Sequence, residues 1–211
     1  MKILVIGASR GIGAEVVKAA LVAGHAVRAF ARSAGDMTPA ARLEPWPGDA
    51  TSGSDLAGAL PGMNAVALTL GIKESLAMLW RPVTLFSDAT AALVPLMEAH
   101  GPRRLVCVTG IGTSESRAAL SPPEAFAHRC LLGRPYDDKT RQEDIIRASM
   151  LDWTFIRPGV LTSNRASHRY KVLVEPKSWR MGMISRADVA DYVLRALDDP
   201  DTIGTAPVIV R

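Results

Sequence analysis

The chain has 211 residues, of which 48% are hydrophobic and 22% charged, and its formal net charge is +4 at pH 7. This composition is typical of a globular domain with a large core, and so small a positive excess, without an aromatic-basic stripe, does not predict nucleic-acid binding. The two cysteines lack metal-ligand spacing and the apolar N-terminal run is short, so we expect a cytoplasmic protein with no metal and no membrane segment.

Short β-branched runs alternate with longer amphipathic stretches, a pattern typical of βα units on a parallel sheet. The predicted strands are residues 2–6, 26–31, 43–46, 65–70, 104–109, 153–157 and 207–210, the last at the sheet edge. The predicted helices are residues 13–23, 53–60, 82–100, 136–149 and 186–197, with Ser185 as the N-cap of the last. We therefore predict an α/β fold: a single domain over residues 1–211 with a Rossmann-type doubly wound parallel sheet.

Two stretches interrupt this pattern, and each follows the carboxyl end of a predicted strand, where open parallel sheets bind ligands. We predict that residues of about 110–135 and 161–183 form substrate-site loops. The second loop region and the residue that opens the next helix are rich in basic side chains: Arg165, Arg169, Lys171, Lys177, Arg180 and Arg186. These residues predict a small-molecule substrate with an anionic group; a solvated basic face is the alternative.

The first predicted strand runs into the sequence GASRGIG, residues 7–13. Gly7 ends the strand and Gly13 opens the helix, and a turn this tight uses glycine for positive φ and for close approach to a phosphate. A strand before, a helix after and a second strand at Ala26 supply the context of a dinucleotide-binding turn. The stretch therefore predicts a pyrophosphate site.

The end of the second predicted strand indicates which dinucleotide is bound. An NAD site has an acid there to hold the ribose 2′-OH, but Arg32 and Ser33 follow the strand and the next acid is Asp36. A guanidinium fork suits a 2′-phosphate, so Arg10 and Arg32 favour NADP(H) over NAD(H). The alternative is that both arginines are solvated.

Several motifs in order resemble the short-chain dehydrogenase/reductase superfamily, and more narrowly its atypical, NmrA-like, NAD(P)H-binding branch, which includes biliverdin reductase B (flavin reductase). The motifs are the glycine turn, Phe30-Ala31-Arg32, Gly48-Asp49-Ala50, RLVCVTG at 104–110, KTRQE at 139–143, DWTFIRPGV at 152–160 and ISRADVA at 184–190. The resemblance covers nearly the whole chain.

The resemblance implies a set of cofactor contacts, with Gly11 and Gly13 completing the turn: Gly7, Ser9, Arg10, Ile12, Arg32, Asp49, Ala50, Leu70, Gly71, Thr109, Lys139, Pro158 and Val160. Packing at strand ends is the alternative role for each. The chain departs from the branch at two positions. Arg10 and the turn spacing match the tyrosine-using dehydrogenases, and Gly110 stands where the flavin and biliverdin reductases have an active-site serine.

Tyr136 and Lys139 are the candidate catalytic pair, since residues spaced i,i+3 share a helix face. A lysine ammonium lowers the pKa of a tyrosine and favours proton transfer. Tyr136 falls in the first turn of its predicted helix, a frayed position, so we predict Lys139 as a cofactor contact, or a surface partner of Glu143. Tyr136 and the Thr109 hydroxyl are predicted as alternative proton donors.

These features predict an NADPH-dependent reductase that transfers hydride to a planar conjugated acceptor such as a flavin, a quinone or a tetrapyrrole. The alternative is a non-catalytic NADP(H)-binding redox sensor of the NmrA type, which acts through a protein partner. A nucleotide-sugar epimerase is disfavoured because the short C-terminal part leaves little room for a sugar-nucleotide subdomain.

Overall fold

The strands form one large sheet and one small one. The computed structural model describes residues 1–72 and 83–211. Within these residues the strands are β1 (Lys2–Ile6), β2 (Ala26–Ala31), β3 (Leu43–Pro47), β4 (Ala65–Leu68), β5 (Arg104–Val108), β6 (Asp152–Pro158), β7 (Val160–Thr162), β8 (Lys171–Leu173), β9 (Met183–Ser185) and β10 (Val208–Val210). The α-helices are α1 (Gly11–Val22), α2 (Gly53–Ala59), α3 (Leu85–His100), α4 (Pro122–Arg147) and α5 (Arg186–Asp198).

The large sheet has the strand order β3-β2-β1-β4-β5-β6-β10-β8. The pairs from β3 to β10 are parallel, and β8 pairs antiparallel with β10. The order reverses between β1 and β4, which opens a crevice at the carboxyl ends of the strands. The predicted Rossmann-type doubly wound sheet is therefore confirmed.

Helices cover both faces of this sheet, with α1 and α5 on one side and α2, α3 and α4 on the other. Neighbouring strand residues point to opposite cores: Val5 and Val106 belong to the first, Leu4 and Leu105 to the second. Because both faces of the central strands β1, β4 and β5 are covered, these strands are almost entirely apolar rather than alternating.

The helix that carries Tyr136 begins at Pro122, so the predicted loop at about 110–135 is wrong from Pro122 onward. Ser121 precedes the helix and Glu124 Oε2 accepts a hydrogen bond from the Ser121 backbone N–H at 2.8 Å, a capping-box contact. Pro135 lies inside the helix. Tyr136 consequently sits in the helix interior, and its predicted place in a frayed first turn is corrected.

The region 161–183 also contains regular structure that the sequence pattern did not predict. β7 pairs with β9 in a small parallel sheet, and β8 covers β10, so the last strand is not the sheet edge. The predicted helix 82–100 begins at Leu85, and Pro82 lies outside the described residues. Ser185 caps α5 by accepting a 2.9 Å hydrogen bond from the Asp188 N–H, as predicted. Among the helices described, none is long and apolar enough to span a membrane.

Candidate cofactor and substrate site

A cleft of about 1220 Å³ runs along the carboxyl ends of the central strands. The segments that follow β1, β3, β4, β5 and β6, together with the end of β2, all contribute to its walls. The predicted site residues that line it are Gly7, Ser9, Arg10, Gly11, Ile12, Arg32, Asp49, Ala50, Leu70, Gly71, Thr109, Tyr136, Lys139, Pro158 and Val160. Gly13 is buried behind this wall. The fold thus brings the candidates into one cleft, and their individual roles stay predictions.

The glycine turn has the geometry of a phosphate cradle. Gly7 and Gly11 have φ values of +89° and +59°, in the region that glycine adopts most easily. A Cβ on Gly13 would lie 2.1 Å from the Gly7 carbonyl oxygen, so the third glycine allows the helix to pack closely on the strand. A Cβ on Gly11 would meet nothing within 4 Å, which leaves open space beside the helix end.

The N-terminus of α1 fits a bound pyrophosphate. No side chain in the described part of the protein caps this end, and the first turn contains no acid. The first backbone N–H groups of a helix have no intrahelical acceptor, and the helix dipole places partial positive charge there. An anion beside Gly11 would satisfy both features.

Arg10, which directly precedes α1, and Arg32, which follows β2, are exposed and line the cleft. Neither is in an ion pair with any described acid. Asp49 Oδ1 accepts hydrogen bonds from the N–H and hydroxyl of Thr51, both at 2.9 Å, and these bonds, with the charge of Arg32, lower the pKa of the carboxyl. Asp49 is therefore an ionised acceptor at this end of the cleft.

The wall formed by α4 carries Tyr136 and Lys139 side by side in the cleft. Tyr136 packs over Gly110, where a Cβ would come within 2.6 Å of the tyrosine hydroxyl oxygen. Lys139 Nζ donates to the Thr109 carbonyl oxygen at 2.7 Å and lies 4.7 Å from the centre of the Phe86 ring. Burial lowers the pKa of Lys139 to about 8, against the opposing charge of Glu143 and Asp138.

Glu143 forms a buried hub behind this wall. Its carboxylate is paired with the buried guanidinium of Arg157, at 2.5 Å from Nη2 and 3.1 Å from Nε. Burial raises the pKa of Glu143, but the Arg157 contacts and the hydroxyl hydrogen bonds outweigh it, so the net shift is downward. The Glu143 carboxylate also accepts three hydrogen bonds, each of 2.7 Å, from the hydroxyls of Thr109, Thr113 and Ser114.

An ionised carboxylate only accepts hydrogen bonds. The Thr109 hydroxyl therefore directs its proton to Glu143 and not to the cleft, and so does Ser114, while Thr113 donates to Glu143 and the Gly110 carbonyl oxygen. The sequence pattern did not predict this arrangement, because Glu143, Thr109 and Arg157 come from three different elements.

Other cleft residues lie outside the predicted set of site residues. Phe86, Ile111, Leu132 and Met181 supply apolar walls at the end near Tyr136. His128 lines the same end and contacts the Tyr136 ring edge-on, with ring centres 4.2 Å apart. A capping box at Ser121 and Glu124 was the available signal that α4 extends to these residues.

Only one of the six basic residues predicted to meet an anionic substrate lines the cleft, namely Arg186. Arg165 and Arg169 are exposed and lie outside the lining. No group of three or more His, Cys, Asp or Glu side chains that could hold a metal ion is found in the described ranges.

Comparisons with solved structures agree with the fold. ChuY from Escherichia coli O157:H7, described as an anaerobilin reductase, has a TM-score of 0.82 and 24% identity over 100% of this chain and 97% of its own. A short-chain dehydrogenase/reductase from Veillonella parvula DSM 2008, solved in complex with NADP, has a TM-score of 0.81 and 17% identity over 100% and 94%.

A sequence relative and a family model extend the comparison. "Uncharacterized sugar epimerase YhfK" from Bacillus subtilis (strain 168) is 27% identical over 215 residues, covering 96% of this chain and 90% of the relative. The model of the NAD(P)H-binding family matches residues 7–200, from the first glycine of the turn to the residues after α5. The chain therefore belongs to the NAD(P)H-binding family.

Proposed function

We propose that this protein is an NADPH-dependent reductase that transfers hydride to a planar conjugated acceptor, such as a flavin, a quinone or a tetrapyrrole. The observation that carries the proposal is the single cleft that joins an uncapped helix N-terminus to the pair Tyr136 and Lys139. Its volume of about 1220 Å³ exceeds the upper range of about 1,000 Å³ for single small-ligand pockets, which supports room for a dinucleotide and a second molecule.

The preference for NADPH over NADH is proposed from charge. Arg10 and Arg32 stand at the ribose end without an acid paired to either among the described residues, and Ser9 and Ser33 lie beside them in the lining. Guanidinium groups bind phosphates through paired hydrogen bonds, which a 2′-OH does not offer. Asp49 is left to accept from the adenine amino group.

Bound NADPH would supply the hydride. Pro158 and Val160 would pack against the nicotinamide, and Leu70 and Gly71 would line the path toward it. Tyr136 would hold the proton at its hydroxyl, with the ammonium of Lys139 favouring release of that proton to the reduced acceptor. The Thr109 hydroxyl is not the donor in this scheme because it donates to Glu143 at 2.7 Å.

The largely apolar walls at this end suit the apolar faces of a conjugated ring system. Ile111, Leu132, Leu161 and Met181 present no charge, and orientation by such walls suffices for hydride transfer to a conjugated ring. The structural neighbour ChuY, an anaerobilin reductase, supports a tetrapyrrole among the candidates.

The test is NADPH oxidation, followed by absorbance, with a panel of flavins, quinones and biliverdin. We expect at least one acceptor to be reduced, and Tyr136→Phe to lower kcat by about 100-fold or more without changing the Kd for NADPH. An epimerase regenerates its cofactor, so net NADPH oxidation also separates the proposal from the activity in the name of the Bacillus relative.

One observation favours a second candidate, a redox sensor that binds NADP(H) without turning it over. Three hydroxyls near the end of β5 are committed to Glu143, and Gly110 brings no hydroxyl of its own. Tight NADPH binding with no oxidation by any acceptor would support the sensor and contradict the reductase.

A further inference from the structure

In the part of the chain that the structure describes, the segments from Thr69 onward that line the cleft carry positive side chains and no negative ones. Among the described lining residues from Thr69 to Arg186 there is no aspartate or glutamate, whereas Lys139 and Arg186 stand on opposite walls. Lys139 belongs to α4, and Arg186 is the first residue of α5, on the other face of the sheet. The Lys139 ammonium already donates to the Thr109 carbonyl oxygen, so Arg186 is the more available cation.

Arg186 keeps most of its hydrogen-bonding capacity. Its Nη1 donates to the Ser163 hydroxyl at 3.1 Å, and the guanidinium has five N–H donors in all. It is in no ion pair with an acid in residues 1–72 or 83–211. Asp188, two positions along α5, forms no ion pair with it, and the Asp188 carboxylate instead accepts hydrogen bonds from Ser185, Ser167 and His168.

An uncovered apolar surface lies next to Arg186. Val160 and Met183 are paired across β7 and β9, and their side chains are 54% and 63% exposed. Val160 lines the cleft, as do Leu161 and Met181 on the same wall. A molecule that is apolar over most of its area and negative at one edge would complement this wall and Arg186.

We infer that the hydride acceptor carries a carboxylate and that Arg186, supported by Ser163, binds it while the conjugated body lies on the apolar wall formed by Leu161 and Met181. This inference rests on the proposed function. It assigns anion recognition to Arg186, the first residue of α5, and not to the exposed basic residues of the 161–183 region. A guanidinium next to apolar walls attracts an anion more strongly than one in open solvent.

The test uses two matched probes: a naphthoquinone with a propanoic acid side chain, and the methyl ester of the same compound. Their binding to the NADP⁺-loaded protein is measured by calorimetry, which requires no turnover. For Arg186→Gln we expect the Kd of the acid to rise about 10-fold or more and that of the ester less than about 2-fold, with the Kd for NADPH unchanged. Arg186→Lys should fall between wild type and Arg186→Gln, since an ammonium keeps the charge but loses the fork.

The matched control is Arg165→Gln, which removes an exposed arginine that lies outside the cleft lining. It should bind both probes as wild type does. Equal weakening of the acid and the ester by Arg186→Gln, or no effect on either, would overturn the inference. A parallel loss of NADPH affinity would also overturn it, because Arg186 would then serve a cofactor phosphate.

The calorimetric measurement of probe binding tests this inference separately from the proposed function. Arg186-dependent binding of the acid without NADPH oxidation would support the carboxylate site and contradict the reductase. NADPH oxidation by both probes with equal KM values in wild type and Arg186→Gln would support the reductase and contradict the carboxylate site.

Discussion

The hydroxyl of Tyr136 lies against the backbone of Gly110, so closely that a Cβ at residue 110 would come within 2.6 Å of the hydroxyl oxygen and 2.9 Å of Cε1. Such distances force a side chain to shift. The absence of a side chain at the end of β5 is therefore what allows α4 to bring Tyr136 into the cleft. The tyrosine hydroxyl occupies space that a serine at this position would fill.

Gly110→Ala should consequently displace the Tyr136 ring and lower kcat, with little change in the Kd for NADPH. We expect a loss of about 10-fold or more, because a proton donor moved by an ångström transfers its proton poorly. Steady-state kinetics and a binding titration measure the two constants. Gly133→Ala is the control, since its Cβ would meet only Arg129 Cγ, at 4.0 Å. Wild-type kcat in Gly110→Ala would refute the dependence on Tyr136 placement.

The pH dependence of activity should report Lys139. Burial lowers its pKa to about 8, so the ammonium is lost as the pH rises through this value. We expect kcat/KM to decline above about pH 8 in wild type, and Lys139→Arg, whose guanidinium stays protonated, to lose that decline. If kcat/KM of Lys139→Arg still declined above about pH 8, the titration would belong to another group.

The contribution of Lys139 to the free energy of unfolding should increase over the pH range in which kcat/KM declines. An unfolded lysine titrates near its ordinary value of 10.5, so between about pH 8 and 10.5 the unfolded chain binds more protons than the folded one. The contribution of Lys139 to the free energy of unfolding therefore increases as the pH rises through this window. Urea unfolding of wild type and Lys139→Met at pH 7.5 and 10 measures it. The free energy of unfolding of wild type, relative to that of Lys139→Met, should be larger at pH 10 than at pH 7.5.

Breaking the buried hub should destabilise the fold. In Glu143→Gln the buried Arg157 keeps Glu115, at 3.0 Å, but loses its fully buried partner. Removing one member of a buried ion pair costs about 3 kcal/mol or more of unfolding free energy. Glu44→Gln, which breaks the partly exposed pair with Arg28, should cost less than about 1 kcal/mol. Similar denaturant midpoints for the two variants would contradict the proposed importance of the hub.

The choice of cofactor should depend on Arg10 and Arg32. Replacing Arg32 by Ala should raise the Kd for NADPH by about 10-fold or more, because a charge-assisted hydrogen bond contributes about 1.5–3 kcal/mol. The Kd for NADH should stay within about 2-fold, since NADH has no 2′-phosphate. Fluorescence titration of both cofactors makes the comparison, and an equal loss for NADH would assign Arg32 to a part that the two cofactors share.

The sequence predicts best those elements that local patterns define. Strands β1 and β2 begin and end where the apolar runs do, and the glycine turn adopts the positive φ that its spacing requires. The N-cap at Ser185 was also predictable, because capping is a contact over three residues.

Prediction from the sequence fails where packing between distant elements determines the structure. Residues 113–135 resemble a loop in composition, but α4 begins at Pro122 and continues through Pro135 while packed against α3. The approach of Tyr136 to Gly110 and the convergence of Thr109 and Arg157 on Glu143 depend on how far α4 extends. No local pattern encodes contacts between residues that far apart in the chain.

The most direct test of the account is a single turnover with NADPH deuterated at the transferring position of the nicotinamide and a linear tetrapyrrole as acceptor. We predict loss of NADPH absorbance, a slower rate than with unlabelled NADPH, deuterium in the reduced tetrapyrrole, and a further large decrease in rate in Tyr136→Phe. Saturated binding of NADPH with an unchanged absorbance, for this and every other conjugated acceptor, would contradict the claim that the cleft transfers hydride.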